Sequence, residues 1–312
     1  MSAPLPNAHR AAPRVEGAPV NGRIDLPAAG AAAESRPTIV FSHANGFPAG
    51  TYRVLFDAWR GAGYRVVAVD KFGHDPRFPV SSNWPHLRDE LIDCIVETAR
   101  TPSFLVGHSL GGYLSVLAAS RRPDVARGVL LLDSPILGGA VSQAMRIAKA
   151  TGLVKRLSPG HISRRRREMW PSADAAYAHF AAKPAFARWS PEVLRDYIAC
   201  GVQAVGDAQG GGHRLVFRRE IETTIYNTLA HHLTALLRRH PLRCPLAFIG
   251  GTKSVENRQV GLRATRALTN GRMSFVEGSH LFPFERPQET TNEVLRWLEE
   301  FAALAPAPAL RA

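Results

Sequence analysis

Cysteine is scarce in this chain, and its three cysteines, Cys94, Cys200 and Cys244, lie far apart without a C-x-x-C pair. So few and scattered cysteines argue against a disulfide framework and against a cysteine-based metal site. The neighbouring residues His231 and His232 have no second ligand cluster at metal-binding spacing. We therefore expect neither a metal nor another cofactor.

Long apolar runs are also missing. No segment approaches the roughly 18 consecutive apolar residues that a membrane-spanning helix needs. The N-terminus lacks a basic region followed by an apolar core, which is the pattern of a secretory signal peptide. With 312 residues, of which 45% are hydrophobic and 21% charged, the composition is that of an ordinary globular protein. We expect a cytoplasmic protein with no membrane span.

Acidic residues are outnumbered: 26 Asp and Glu stand against 39 Lys and Arg, for a formal net charge of +13. The excess is local, because residues 142–243 hold 17 Lys and Arg against 7 Asp and Glu. The densest run, residues 164–167, is four consecutive arginines that could bind an acidic substrate, an acyl carrier or nucleic acid. No nucleic-acid-binding motif accompanies it. We expect a solvated surface there and no nucleic-acid partner.

Apolar runs of strand length alternate with helical patterns over most of the chain, which is typical of a mostly parallel sheet with helices on both faces. The predicted strands are residues 38–41, 64–69, 104–106, 129–132, 246–249 and 273–276. Between residues 136 and 241 the alternation stops, and Arg-rich helical patterns predict an inserted helical cap. The predicted division is a flexible tail with room for a short hairpin over 1–36, an α/β core over 37–135 and 242–302, and a disordered tail over 303–312.

Residues 103–112 organise the candidate site, because an apolar run there leads into GHSLG and then into a predicted helix over residues 110–121. The pattern G-x-S-x-G is that of a nucleophile elbow. Ser109 would occupy a strained turn, where the small residues Gly107 and Gly111 avoid steric clash. The N-terminus of the helix directs N–H groups to the place where an oxyanion would form. The pattern predicts Ser109 as a nucleophile.

A serine hydroxyl needs a base, and the base needs a carboxylate that orients it. His280 directly follows the last predicted strand, so it should lie at the same sheet edge as Ser109. Two carboxylates could serve. Asp133 ends the strand beside the elbow strand. Glu256 comes two residues after Ser254, and Ser254 occupies the position where the commonest arrangement has its acid. We prefer Asp133, because a short side chain at a strand end is held rigidly. Glu256 is predicted to begin a helix, where it would stabilise the helix N-terminus.

An oxyanion hole needs two donors near the developing charge. The backbone N–H of Leu110 is expected to supply one. Asn45, in the loop HANG after the first buried strand, could supply the other through its backbone N–H, with its side-chain amide as a further donor. Asparagine is also common where a turn needs a tolerant residue, so at this point the role of Asn45 stays open.

Together these motifs resemble the α/β-hydrolase fold superfamily with a helical cap, over residues 38–301. Residues 43–46 match the family's His-Gly-x oxyanion loop, with Ala44 in place of glycine. Residues 107–111 match the elbow, and residues 278–280 match the segment of the catalytic histidine. The family order, Ser then Asp then His, is kept. An acid at Asp133, after the family's sixth strand, is similar to the haloalkane dehalogenase branch.

The resemblance implies a serine hydrolase that acts on a small-molecule acyl substrate. Dehalogenases and epoxide hydrolases form an alkyl ester on an aspartate, whereas the elbow here carries Ser109, and a serine attacks acyl carbonyls. We therefore expect cleavage of an ester, thioester or lactone through an acyl-enzyme. Two alternatives stay open: an acyltransferase with the same three side chains, and a non-catalytic binding protein that uses the basic cap.

Overall fold

The computed structural model describes residues 22–29, 36–99, 102–206 and 211–304. Of the tail predicted over 1–36, residues 1–21 and 30–35 lie outside the described residues. Of the tail predicted over 303–312, residues 305–312 lie outside them, and residues 303 and 304 are helical. The strands, in chain order, are β1 (Arg23–Leu26), β2 (Ile39–Ser42), β3 (Val66–Val69), β4 (Ser103–His108), β5 (Ala126–Leu132), β6 (Met169–Trp170), β7 (Val202–Ala204), β8 (His213–Leu215), β9 (Leu246–Gly251) and β10 (Met273–Val276).

The helices follow the same numbering in chain order, and two further short turns, Ala49–Tyr52 and Pro123–Val125, are 3-10 helical. The α-helices are α1 (Arg53–Gly61), α2 (Pro85–Thr98), α3 (Leu110–Arg121), α4 (Gly139–Ala150), α5 (Val154–Leu157), α6 (Gly160–Arg164), α7 (Ala173–Ala181), α8 (Pro191–Gly201), α9 (Arg219–Asn227), α10 (Leu233–Arg239), α11 (Val255–Val260), α12 (Arg263–Leu268), α13 (Phe282–Glu285) and α14 (Pro287–Leu304). None of these helices has both the length and the apolar character that crossing a bilayer requires.

A seven-stranded sheet forms the centre of the fold, in the order β1-β3-β2-β4-β5-β9-β10. β1 pairs antiparallel with β3, and every other neighbouring pair is parallel. Strands β2, β3, β4 and β9 are buried along their whole length, because each is an apolar run covered on both faces. The predicted α/β fold with a mostly parallel sheet is confirmed.

The first described strand lies at the edge of this sheet. Ile24 and Leu26, which the sequence assigns to a short hairpin, belong to β1, whose Arg23 pairs with Val69 of β3. A second strand of the predicted hairpin would lie outside the described residues. The described segment therefore extends the main sheet.

Helices cover both faces of the sheet, because successive strand side chains point to opposite sides. On one face Phe41 of β2 packs in a core with side chains of α1 and α14, including Trp59 and Phe301. On the other face Val40 of β2 packs with side chains of α2 and α3, including Leu91. Two apolar layers thus fix the sheet between helices.

Residues 136–241, which we call the insert, leave the sheet between β5 and β9 and contain α4 to α10. The insert is mostly helical, and it also holds a small antiparallel sheet in the order β6-β8-β7. Aromatic rings join it to the loop after β2, where Phe47 lies 5.6 Å from Trp189 and 5.7 Å from Tyr197 between ring centroids. The insert therefore packs directly over the carboxyl ends of the parallel strands.

The parallel register brings the ends of β4, β5, β9 and β10 side by side. His108 of β4 pairs with Leu132 of β5, Leu132 with Ile249 of β9, and Gly251 with Val276 of β10. Residues that directly follow these strands consequently meet at one sheet edge. Open α/β sheets bind their ligands at this edge.

Candidate active site

Ser109 lies at the turn between β4 and α3, with φ 54° and ψ −113°. The turn is tight: a Cβ on Gly107 would lie 2.3 Å from the backbone of Gly111, and a Cβ on Gly111 would lie 1.9 Å from the carbonyl oxygen of Ser42. Both distances are far below van der Waals contact, so only glycine fits at either position. The strained backbone of a nucleophile elbow is therefore formed around Ser109.

Asp133 directly follows β5, with φ 43°, and its side chain is fully buried. Its Oδ1 accepts hydrogen bonds from the Gly251 N–H and from Asn257 Nδ2, each at 2.7 Å. Its Oδ2 accepts from Ser254 Oγ at 2.6 Å and lies 2.7 Å from His280 Nδ1. A carboxylate removed from water needs such donors, because an unpaired buried charge is strongly disfavoured.

His280 lies in the loop after β10 and contacts the two candidate acids differently. Its Nδ1 is 2.7 Å from Asp133 Oδ2 and 3.9 Å from Glu256 Oε2. The Glu256 side chain, in the first turn of α11, is 46% exposed, whereas that of Asp133 is fully buried. The geometry favours Asp133 as the carboxylate that orients the imidazole.

Asp133 and His280 alter each other's protonation. Burial raises the pKa of Asp133, but the hydrogen bond and charge of His280, with donors Ser254 and Gly251, outweigh burial, so the pKa is lowered. Burial also lowers the pKa of His280, but the hydrogen bond and charge of Asp133, with the charge of Glu256, outweigh it, so the pKa is raised. The pair is thus an ionised carboxylate beside a more basic imidazole, as a general base requires.

His108, within the elbow sequence, connects the loop of His280 with the first loop. Its Nε2 lies 2.9 Å from the main-chain oxygen of His280, and its Nδ1 lies 2.8 Å from Tyr52 Oη. Nε2 faces a carbonyl oxygen and so carries the proton of the neutral ring, which leaves Nδ1 to accept from the Tyr52 hydroxyl; Tyr52 Oη in turn accepts from the Ala44 N–H at 3.1 Å. Burial lowers the pKa of His108 to about 3, so the ring is neutral. This chain of hydrogen bonds ties the two loops that flank Ser109.

The two predicted oxyanion donors lie in the wall of the same cavity as Ser109. Leu110 is the first residue of α3, where an N–H has no partner within its own helix. Asn45 is buried, and its Nδ2 donates to the main-chain oxygen of Glu222 at 3.0 Å. The side-chain amide predicted as a further donor is therefore engaged with the insert, and the backbone N–H of Asn45 stays the predicted donor.

The arginine run, residues 164–167, is not uniformly solvated. Arg164, Arg165 and Arg167 are exposed, but the Arg166 side chain is only 12% exposed and pairs with Glu222 at 2.9 Å. The prediction of a solvated surface is wrong for Arg166, because a buried carboxylate compensates its charge.

Comparison with known proteins decides the family. The sequence profile of the alpha/beta hydrolase family matches residues 39–294. The chain belongs to the alpha/beta hydrolase family. Monoglyceride lipase from Mus musculus is 32% identical over 128 residues, which are 39% of this chain and 42% of the lipase. Phospholipase YtpA from Bacillus subtilis is 31% identical over 107 residues, which are 32% of this chain and 40% of the phospholipase.

These matches span about two fifths of the length of each curated relative. Among solved structures, E-2-(acetamidomethylene)succinate hydrolase is similar, with a TM-score of 0.67, 20% identity, and coverage of 89% of this chain and 94% of that chain. At this identity the likeness supports the fold alone. The predicted family is confirmed, while placement in the haloalkane dehalogenase branch stays a prediction.

In this alpha/beta hydrolase a cavity of about 470 Å³ opens over Ser109 and His280. The surface of its walls is mainly apolar, although polar residues such as Asn45, Asp133 and Glu256 also line it. The apolar residues that the insert contributes are Leu137, Val141, Ala144, Met145, Ala148, Val154, Pro159, Ile225 and Leu229. A larger cavity, of about 880 Å³, is lined by charged side chains at the β1–β3 edge, and no predicted site residue lines it.

Sequence reasoning missed most of the groups that surround Asp133. Ser254 occupies the place where the acid commonly lies, and here it begins α11 as the N-cap, accepting from the Asn257 N–H at 3.1 Å while donating to Asp133. A serine directly before a helical pattern is a local signal of such a cap. The role of both residues as donors to a distant strand end depends on tertiary packing.

Asp133, Glu256 and His280 have ligand atoms within 4.8 Å of one another, which is close enough to hold a metal ion. A metal would have to displace hydrogen bonds that the Asp133 carboxylate already accepts. The hydrogen bonds to Asp133 therefore indicate a carboxylate that orients a histidine base, and they argue against a metal ligand. Our prediction of a site without a metal cofactor stays a prediction.

Proposed function

We propose that this chain is a serine hydrolase that cleaves an ester or related acyl bond of a small molecule through an acyl-enzyme on Ser109. One observation supports this most: the Asp133–His280 pair, at 2.7 Å, lines the same apolar cavity as Ser109 at the elbow. The names of the relatives, monoglyceride lipase and phospholipase, support a carboxylic ester as the substrate.

In the first half of the proposed reaction, Ser109 Oγ attacks the acyl carbon while His280 Nε2 takes the hydroxyl proton. Asp133 stabilises the imidazolium that forms, and the backbone N–H groups of Leu110 and Asn45 donate to the oxyanion. The tetrahedral intermediate then breaks its bond to the alcohol oxygen. The alcohol leaves with the proton from His280, and the acyl group stays on Ser109.

In the second half, water attacks the acyl carbon and gives a proton to His280. The bond between the acyl carbon and Ser109 Oγ breaks, the proton returns to Ser109, and the free acid leaves. A serine at this position disfavours dehalogenase and epoxide hydrolase chemistry, which proceeds through an alkyl ester on an aspartate.

The cavity favours an uncharged, apolar substrate. The wall that the insert supplies is mainly apolar, and the carboxylate of Glu256 would repel an anionic group placed beside His280. Its volume of about 470 Å³ lies in the lower half of the usual range for small-molecule sites. We therefore propose esters of short or medium chain length as substrates.

Hydrolysis of p-nitrophenyl acetate, octanoate and palmitate tests the proposed function. We expect turnover of the first two and little of the third, and a loss on the order of 10⁴-fold or more in Ser109→Ala. Thermal unfolding serves as the control that the variant is folded. A folded Ser109→Ala protein with undiminished turnover would contradict the mechanism. If an added alcohol captured the acyl group as a new ester, the result would support the alternative of an acyltransferase. A folded wild-type protein without any turnover would support the alternative of a non-catalytic binding protein.

A further inference from the structure

Arg166 forms a buried ionic cluster in the insert, although its neighbours in the run 164–167 face solvent. Its Nη1 lies 2.9 Å from Glu222 Oε2, with 12% of the Arg166 side chain and 8% of the Glu222 side chain exposed. Its Nη2 donates to Tyr197 Oη, and its guanidinium carbon lies 5.6 Å from the ring centroid of Phe180. Salt bridge, hydrogen bond and ring contact together fix one position for the guanidinium.

Glu222, the partner of Arg166, contacts the predicted oxyanion loop in two ways. Its main-chain oxygen accepts the hydrogen bond from Asn45 Nδ2 at 3.0 Å. Its side chain packs against Gly46, where an added Cβ would lie 2.8 Å from Glu222 Oε1 and 3.3 Å from Arg166 Nη1. Gly46 has φ 86°, a conformation that favours glycine, so the loop passes closely under the ion pair.

We propose that the Arg166–Glu222 ion pair is a positioning device that holds the backbone N–H of Asn45 in place for the oxyanion. The inference rests on the proposed function, because only a reaction that forms an oxyanion needs this alignment. α9 carries Glu222 and also supplies Ile225 to the substrate cavity. The same helix therefore contacts both the substrate and the loop that stabilises its transition state.

The pair can be removed without leaving an isolated charge. Substituting one partner alone would strand the other in a buried site, and the chain could fail to fold for that reason. Replacing both partners by apolar residues of similar volume is often neutral for stability. Arg166→Met with Glu222→Met therefore removes the ionic contact on Gly46 but keeps the main-chain oxygen of Glu222. Arg165→Met, an exposed neighbour, is the matched control.

Steady-state hydrolysis of p-nitrophenyl octanoate and inhibition by an alkyl boronic acid test the proposal. A boronate bound to the serine carries the tetrahedral negative charge that the oxyanion hole recognises. For the double variant we expect kcat to fall roughly 10- to 100-fold. This is less than the loss expected when an oxyanion donor is removed outright, because the N–H of Asn45 is still present but less well positioned. Boronate affinity should fall in parallel while KM changes little. Arg165→Met should match the wild type.

Hydrogen exchange of the backbone amides of residues 43–47 adds a readout that does not need turnover. We expect faster exchange in the double variant, because the ion pair no longer packs on the loop. A folded double variant with wild-type kcat and boronate affinity would overturn the positioning role, even if exchange is faster. A wild-type chain that neither hydrolyses the ester nor binds the boronate would instead overturn the proposed function, so the two failures are distinguishable.

Discussion

At the scale of single residues, the surroundings of Asp133 explain how a chain can lack the usual acid and still have a carboxylate beside its histidine. Ser254 stands where the acid commonly lies, and its hydroxyl donates to Asp133 Oδ2 at 2.6 Å. Glu256 lies at the rim of the same group, with Oε2 3.3 Å from Ser254 Oγ and 3.9 Å from His280 Nδ1. The buried Asp133 is the predicted partner of His280, and Glu256 is a nearby charge.

These two carboxylates are expected to respond differently to loss of charge. Asp133→Asn should lower kcat on the order of 10⁴-fold, because the imidazole loses the partner that orients it and stabilises its charge. The matched variant Glu256→Gln should keep most of the activity. The charge of Glu256 raises the pKa of His280, so removing that charge lowers this pKa. Because His280 acts as a base only when it is neutral, the acidic limb of the pH–rate profile should move to lower pH. A large loss in Glu256→Gln and a small one in Asp133→Asn would reverse the assignment.

Much of the candidate site could be predicted at this scale, because Ser109, Asp133 and His280 each come soon after a recognisable strand. The donors to Asp133 could not, since Asn257 and Gly251 reach it only after β9 is placed beside β5. A short local pattern does not contain that contact.

At the scale of elements, the parallel strands were predictable and much of the insert was not. The sequence predicts a strand over residues 273–276, and β10 has these bounds, because a compact apolar run ends at clear turn residues. The helical pattern of the insert does not show where its helices begin and end: α9 ends at Asn227, and α10 begins at Leu233. Strands β6 to β8 have two or three residues each, which is too short for a periodic pattern.

The junction between β4 and α3 should tolerate no added methyl group. A Cβ on Gly111 would lie 1.9 Å from the backbone oxygen of Ser42, so Gly111→Ala would force α3 away from β2. We expect the free energy of unfolding to fall by about 3 kcal/mol or more. The matched control is Gly61→Ala at the end of α1, where a Cβ meets no atom within 4 Å among the described residues. Urea titration of both variants checks this, and equal midpoints would contradict the tight elbow.

At the scale of the whole molecule, a buried acid makes stability depend on pH. Glu90 of α2 is 6% exposed, and its Oε2 accepts a hydrogen bond from the Gly73 N–H at 3.0 Å. Burial raises the pKa of Glu90 from 4.5 to about 8, against the opposing effect of the Gly73 hydrogen bond. Between these values the unfolded chain ionises Glu90 while the folded chain keeps it protonated. The free energy of unfolding therefore falls as pH rises through this range.

Glu90→Gln should remove this dependence. Glutamine keeps an acceptor oxygen for the Gly73 N–H and never ionises, so the variant should be more stable than the wild type above pH 8. The difference should shrink as pH falls and vanish only below pH 4.5, where Glu90 is protonated in both states. Thermal unfolding across this pH range measures the effect, with the exposed Glu299→Gln as control. A constant difference at all pH values would rule out the titration of Glu90 as its cause.

The central claim, that Ser109 is a nucleophile activated by His280 and Asp133, is tested most directly by covalent labelling. We would treat the wild-type protein with a fluorophosphonate and map the adduct by peptide mass spectrometry. We expect one adduct, on Ser109, which is absent in Ser109→Ala and forms much more slowly in Asp133→Asn. Folded wild-type protein that stays unlabelled, or that carries the adduct on another residue, would contradict the claim.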